Sequence, residues 1–230
     1  TFVEYVPNDH LTLQANPDYN WAPSVYRQRR ASIQTITFRF FTDPATRALA
    51  LESGLADVVG EIPPHDAERL TASAGFTLHP VVIAGQPLQF LLNTTRAPTD
   101  DLAVRQALIL AVDRAAIVQT EFGETSPVAQ GPLSMNVLPF LADDPLPDAD
   151  PAEAARLLDA AGWFLDDAQT LRSRGGEPLQ VRIVAPSWGS NPEVVQLLQA
   201  DWERLGVRVE AEIAAGFGTL KETQATGNYN

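Results

Sequence analysis

Residues 181–213 carry the pattern that most limits what this chain can fold into. Residues 181–185 form a β-rich run. Val194, Leu197, Leu198, Trp202 and Leu205 then recur at helical spacing, and residues 207–213 return to strand composition. A strand, a helix and a strand joined by short connections place the two strands in parallel, because a crossover must carry the chain back before it can run the same way again. This half therefore reads as α/β.

The helices are punctuated in one repeated way. Asp43-Pro44, Asp150-Pro151 and Asn191-Pro192 each open a segment that closes at Gly54, Gly162 or Gly206. Asp or Asn can satisfy free amides at a helix start, Pro suits the first helical position, and Gly accepts the left-handed conformation past the last turn. Glu153 lies three residues after Asp150, the spacing of a capping box. A fourth helix is expected over residues 102–120, after Thr99 and Asp100.

The first half is richer in strand signals. Residues 2–6 and 11–15 flank Pro7-Asn8-Asp9 and read as a hairpin. Residues 36–40, 77–83 and 88–92 read as further strands. Residues 133–150, rich in Pro and Asp, and residues 165–178, with Arg-Gly-Gly, read as surface loops.

The 230 residues are 45% hydrophobic and 20% charged, which are globular values. No apolar run approaches the roughly 18 residues that cross a bilayer. The absence of Cys excludes disulfides, thiolate metal sites and Cys nucleophiles. A formal net charge of -13 argues against nucleic acid as a partner. The densest basic cluster, Arg27, Arg29 and Arg30, falls in an expected loop.

A search for catalytic constellations finds none. His10, His65 and His79 have no second His and no Cys at metal-ligand spacing. No nucleophile elbow or phosphate-binding loop is present. Gly216-Phe217-Gly218 reads as a strand-to-helix turn, since the later Gly of a dinucleotide fingerprint is replaced by Lys221. Asp143, Asp144, Asp148 and Asp150 lack the spacing of a calcium loop and read as a solvated loop with a helix cap. No cofactor, metal or catalytic residue is expected.

Four stretches, taken in order, carry a resemblance. They are Asn16-Pro17-Asp18-Tyr19 with Trp21; residues 48–58, ending in Ser53-Gly54-Leu55-Ala56-Asp57-Val58; the run through Asn93, Pro98, Asp101, Val104-Arg105-Gln106-Ala107-Leu108 and Ala111-Val112-Asp113-Arg114; and Asp150-Pro151 through Ala161-Gly162-Trp163. Together they resemble the bacterial extracellular solute-binding proteins of family 5, which serve ABC importers of oligopeptides, dipeptides, nickel complexes and some sugars. The loop of residues 24–35 departs from the family pattern by being longer and more basic.

The resemblance implies an α/β, periplasmic-binding-protein type II-like two-lobe fold, with part of each lobe present: residues 1–88 in lobe I and 89–230 in lobe II. It implies a clamp that closes on solute by a hinge motion, a peptide as the foremost solute, and a nickel complex or oligosaccharide as the alternative. A non-transport sensor using the same clamp is a further alternative. The expected partners are that solute and an ABC permease, with the intact protein a monomer in the periplasm or outside the cell, free or tethered by lipid. The family's acidic residue for a peptide amine is expected beyond residue 230. Trp188 is the foremost candidate for the cleft, with Ser187 and Asn191 in the same loop, because open α/β sheets bind ligands beyond the carboxyl ends of their strands. The alternative for Trp188 is packing beneath the loop. Asn93, where the chain is expected to cross between lobes, and Gln130 with Gly131, in the loop after the long helix, complete the set.

Overall fold

The computed structural model describes residues 1–81, 83–124, 126–134, 137, 146–166, 168 and 170–230. Two compact units divide the chain, Thr1–Ala67 and Glu68–Asn230.

The first unit is built on an antiparallel sheet ordered β1 (Phe2–Val6), β2 (His10–Gln14), β3 (Thr35–Arg39). The expected hairpin is present, and Asn8 takes the positive φ of 61° that its turn requires. Helix α1 (Pro44–Glu52) follows. The Asp43 carboxylate accepts from the Thr46 amide at 2.7 Å, and Gly54 stands just past the end with φ 73°. Arg47 on this helix donates to the carbonyls of Phe41 and Glu61, which ties the loops on either side to it. Helix α2 (Pro64–Thr71) runs across the division between the units.

The second unit holds the main core. The single helix expected over 102–120 is two, α3 (Leu102–Leu110) and α4 (Arg114–Phe122). Asp113 makes the break: its side chain accepts from the Ala116 amide at 2.9 Å and so starts a second helix. Asp101, rather than Thr99 or Asp100, caps α3 through the Ala103 amide. Thr99 is buried instead, its hydroxyl donating to the Asn93 carbonyl at 2.7 Å.

Helix α5 (Pro151–Ala160) is capped by Asp150 through the Glu153 amide at 2.9 Å. The capping box is half formed, because the Glu153 carboxylate turns to Arg156 rather than back to the cap. Of the expected loop over 133–150, Asp148 and Asp150 are described; Asp143 and Asp144 lie outside the described residues. The expected surface loop over 165–178 is a small antiparallel sheet, β4 (Phe164–Leu165), β5 (Arg172–Arg174) and β6 (Glu177–Pro178). Gly175 and Gly176, with φ of 63° and 91°, form a tight hairpin turn between β5 and β6. Its Gly-Gly sequence signals a hairpin as readily as a loop.

The expected strand, helix and strand are present as β7 (Gln180–Pro186), α6 (Asn191–Arg204) and β8 (Arg208–Ala214), with β7 and β8 parallel from Gln180 opposite Arg208 to Pro186 opposite Ala214. Helix α7 (Phe217–Thr226) follows the turn at Gly216. Val181, Ile183 and Ala185 alternate inward along β7 and meet Val195, Leu198 and Trp202 of α6, with Leu108 of α3 and Leu158 of α5 in the same core. Each such Val or Leu contributes about 1.5–3 kcal/mol on burial.

Residues 77–81, 83 and 88–92 are not in strands, and Val82 lies outside the described residues. Phe90 and Leu92 pack on the core while Leu91 between them is exposed, so the alternation orients side chains over 90–92 without a paired neighbour to complete a ladder, and it does not extend to Leu88, which is exposed.

Candidate functional site

The carboxyl ends of β7 and β8 point the same way, so the β7–α6 and β8–α7 connections lie side by side. Each carries an exposed aromatic residue. Trp188 is 53% exposed and Phe217 is 62% exposed, with ring centroids 6.4 Å apart and planes tilted by 41°. Large apolar side chains left open in a connection are available to a ligand. Lys221, one helical turn beyond Phe217, sets its ammonium 5.9 Å from the Phe217 ring centroid, within cation–π range. The pair offers flat apolar surface with a cation at one side.

Asn191 holds the Trp188 loop in place. It is 9% exposed, and its side-chain amide donates to the Trp188 carbonyl at 2.5 Å. Asn191 was expected to cap α6. The cap position belongs to Ser190, which makes no side-chain cap bond, and Asn191 is the first residue of the helix. Ser187 is exposed in the same connection.

Asn191 also lines a recess of about 160 Å³ beside β7, together with Phe90, Leu92, Arg182, Leu220 and Tyr229. Its walls are chiefly apolar. Arg182 brings charge, paired with Glu212 across the sheet at 2.5 Å, and its Nε has no hydrogen-bond partner among the described residues. The recess therefore combines apolar contact with a guanidinium donor, a mixture suited to a small solute with polar ends.

Asn93 is a clasp rather than a free polar group. Its amide donates to the Gly227 and Tyr229 carbonyls, both at 3.2 Å, and its oxygen accepts from the Thr95 amide and hydroxyl. It thereby fixes the segment that brings Tyr229 to the recess. Gln130 and Gly131 lie in another loop, where the Gln130 carbonyl accepts from the Leu146 amide at 3.4 Å; neither lines the recess. The sequence reading missed Phe217, Arg182 and Tyr229. Phe217 had a signal, since it sits at the same strand-to-helix junction as Trp188; Arg182 and Tyr229 reach the recess only through the fold. Among the described residues no group of three or more His, Cys, Asp or Glu is placed to hold a metal ion.

The family model for bacterial extracellular solute-binding proteins, family 5 Middle, matches residues 1–230. The nickel-binding periplasmic protein of Escherichia coli is 31% identical over 195 residues, which is 80% of this chain and 36% of that protein. A putative ABC transporter peptide-binding protein of Brucella ovis is 31% identical over 100% of this chain and 38% of its own length. A di/tripeptide-binding protein of Pseudomonas aeruginosa is 29% identical over 89% of the chain and 36% of its length. The chain thus spans well under half of these curated relatives. Among solved structures, NikA from Brucella suis in complex with Fe(III)-EDTA superposes with a TM-score of 0.79 at 27% identity, over 99% of this chain and 45% of that one. Lactococcal OppA with an endogenous peptide superposes at 0.75 and 18% identity, over 98% and 44%, a likeness of fold. These are type II periplasmic binding folds, as expected from the sequence. No helix among the described residues is long and apolar enough to cross a membrane. The chain belongs to the bacterial extracellular solute-binding proteins of family 5.

Proposed function

We propose that the protein to which this chain belongs captures a peptide outside the cytoplasmic membrane and delivers it to an ABC permease. The observation that carries this reading is the exposed Trp188–Phe217 pair at the carboxyl ends of two parallel strands, with Asn191 joining the Trp188 loop to the recess that Arg182 also lines. Rings of this kind hold apolar side chains of varied shape, and a few fixed polar groups orient a main chain. In this reading residues 1–88 belong to one lobe and 89–230 to the other, and hinge closure buries the solute. Capture requires no chemical step. The protein acts as a monomer, in the periplasm or tethered by lipid to the outer membrane face.

A second reading is capture of a nickel complex. The E. coli relative named for nickel favours it. An oligosaccharide ligand or a sensor role has no such support here.

Thermal unfolding of the full-length protein separates the readings. Ligand at 100 times its Kd adds about 2.7 kcal/mol to stability. A higher Tm with di- to pentapeptides, and none with nickel chelates, supports peptide capture. A higher Tm with nickel chelates alone replaces the solute, and no change with either class overturns both readings.

A further inference from the structure

The basic loop of the first unit is not used by solute capture as described above. From residue 19 to residue 42 the chain has four arginines, Arg27, Arg29, Arg30 and Arg39, and no Asp or Glu, within a protein of net charge -13. Arg27, Arg29 and Arg30 are exposed and make no ion pair or hydrogen bond among the described residues. Apolar and aromatic groups are interleaved with them and equally open: Trp21 is 67% exposed, Val25 82%, and Tyr26 and Ile33 are exposed as well. Tyr19 stands edge-on to Trp21 at 4.6 Å between centroids. Tyr19, Tyr26 and the three arginines border one open concavity.

Three exposed, unpaired guanidiniums in an acidic protein are open to an anionic counterpart from elsewhere. A single small anion would account for the guanidiniums and leave Trp21, Val25 and Ile33 unexplained. An anionic bilayer surface meets both halves of the pattern. Phosphodiester headgroups accept bidentate bonds from Arg, and Trp, Tyr and aliphatic side chains settle at the boundary between headgroup and acyl chain. The loss of every acidic side chain over so long a stretch also matches an extended negative surface better than one carboxylate partner.

We propose that this loop docks the protein on anionic phospholipid, through residues other than those of its candidate solute site. The proposal does not depend on which solute is captured. Basic residues near such a surface each contribute modestly and are screened by salt, so docking is reversible.

The test is co-sedimentation of the full-length protein, without any lipid modification, with vesicles of equimolar phosphatidylglycerol and phosphatidylcholine, against vesicles of phosphatidylcholine alone. The expected result is sedimentation with the anionic vesicles only, at about 0.05 M salt, and release at about 0.5 M. The Arg27→Gln/Arg29→Gln/Arg30→Gln variant binds at least about tenfold more weakly, with an unchanged melting temperature. Arg156→Gln/Arg204→Gln/Arg208→Gln, with the same loss of charge elsewhere, binds as the parent does. Trp21→Ser weakens binding without altering its salt dependence. Millimolar inorganic phosphate does not compete, which separates a lipid surface from a free-anion site. Equal sedimentation with both vesicle types, equal loss in the two triple variants, or competition by phosphate overturns the proposal. So does absence of vesicle binding by the folded protein.

Discussion

The indole Nε1 of Trp202 donates to the Leu108 carbonyl at 2.8 Å, capping the end of a helix other than its own. The last four carbonyls of α3 have no partners within a regular helix. Here each is met: Ala107 by the Ala111 amide, Ile109 by Val112, Leu110 by Asp150, and Leu108 by Trp202. The neighbouring Asp201 accepts from the Asp113 amide at 3.1 Å, just before α4 begins. Two adjacent residues of α6 thus build the corner between α3 and α4. Trp202→Phe keeps most of the ring and removes the donor, leaving a buried acceptor unmet. We expect a loss of about 1–3 kcal/mol in urea unfolding. Trp202→Ala adds a cavity and should cost about 3–5 kcal/mol.

His10 gives the first unit a pH dependence of known sign. Its ring nitrogens lie 3.2 Å from the Glu4 carboxylate and 3.1 Å from that of Asp9. The hydrogen bond to Glu4 first, and that to Asp9 second, raise the His10 pKa above 6.5. A raised folded-state value stabilises the fold fully below 6.5, and that contribution disappears as pH rises through the raised value. NMR titration of the imidazole should place its midpoint above 6.5. Glu4→Gln should lower it, and Asp9→Asn should lower it less. A midpoint at 6.5 in the parent chain would contradict the contact.

At the candidate site, binding and stability should separate. Trp188 and Phe217 are exposed, so Trp188→Ala and Phe217→Ala should change unfolding free energy by no more than about 0.5 kcal/mol. Under the peptide reading each should weaken ligand binding by roughly tenfold, about 1.4 kcal/mol. The Trp188→Ala/Phe217→Ala pair should be non-additive, because the rings are neighbours. Isothermal titration of the full-length protein measures both effects.

How far these features could be read from sequence depends on the range of the interactions behind them. The β7–α6–β8 unit was legible because its apolar spacing and its Pro and Gly punctuation act within a few residues of each other. Asp43 and Asp150 were legible as caps for the same reason. Asn191 was misread as a cap because the helix begins at Asn191 itself, with Ser190 at the cap position, and the Asn191 side chain donates back to the Trp188 loop. The division of residues 102–120 was missed because Asp113 looks like a polar interruption on a helix face until its amide finds Asp201, far along the chain. Trp188 was singled out by position alone. Tyr229 was not, because it reaches the recess only through the Asn93 clasp, a contact between distant parts of the sequence.

Gly206 offers the sharpest test of packing. It follows α6 with φ of 90°, a conformation open to Gly and strained for Ala. A Cβ there would lie 2.8 Å from the Leu165 Cδ2 and 3.1 Å from the Arg172 Cγ. Leu165 can move. Arg172 cannot move easily, because it is 3% exposed and committed on several sides. Its Nε donates to the Leu205 carbonyl at 2.9 Å, its Nη1 donates to the Trp163 carbonyl at 2.7 Å, and it pairs with Asp159. Gly206→Ala should therefore cost about 1–3 kcal/mol, from backbone strain together with displacement of Arg172. Leu165→Ala in the same chain would relieve the closest clash and leave the strain, so a double-mutant cycle should show partial rescue. Complete rescue would mean that Leu165 alone opposes the Cβ. No rescue would mean that φ and Arg172 set the entire cost.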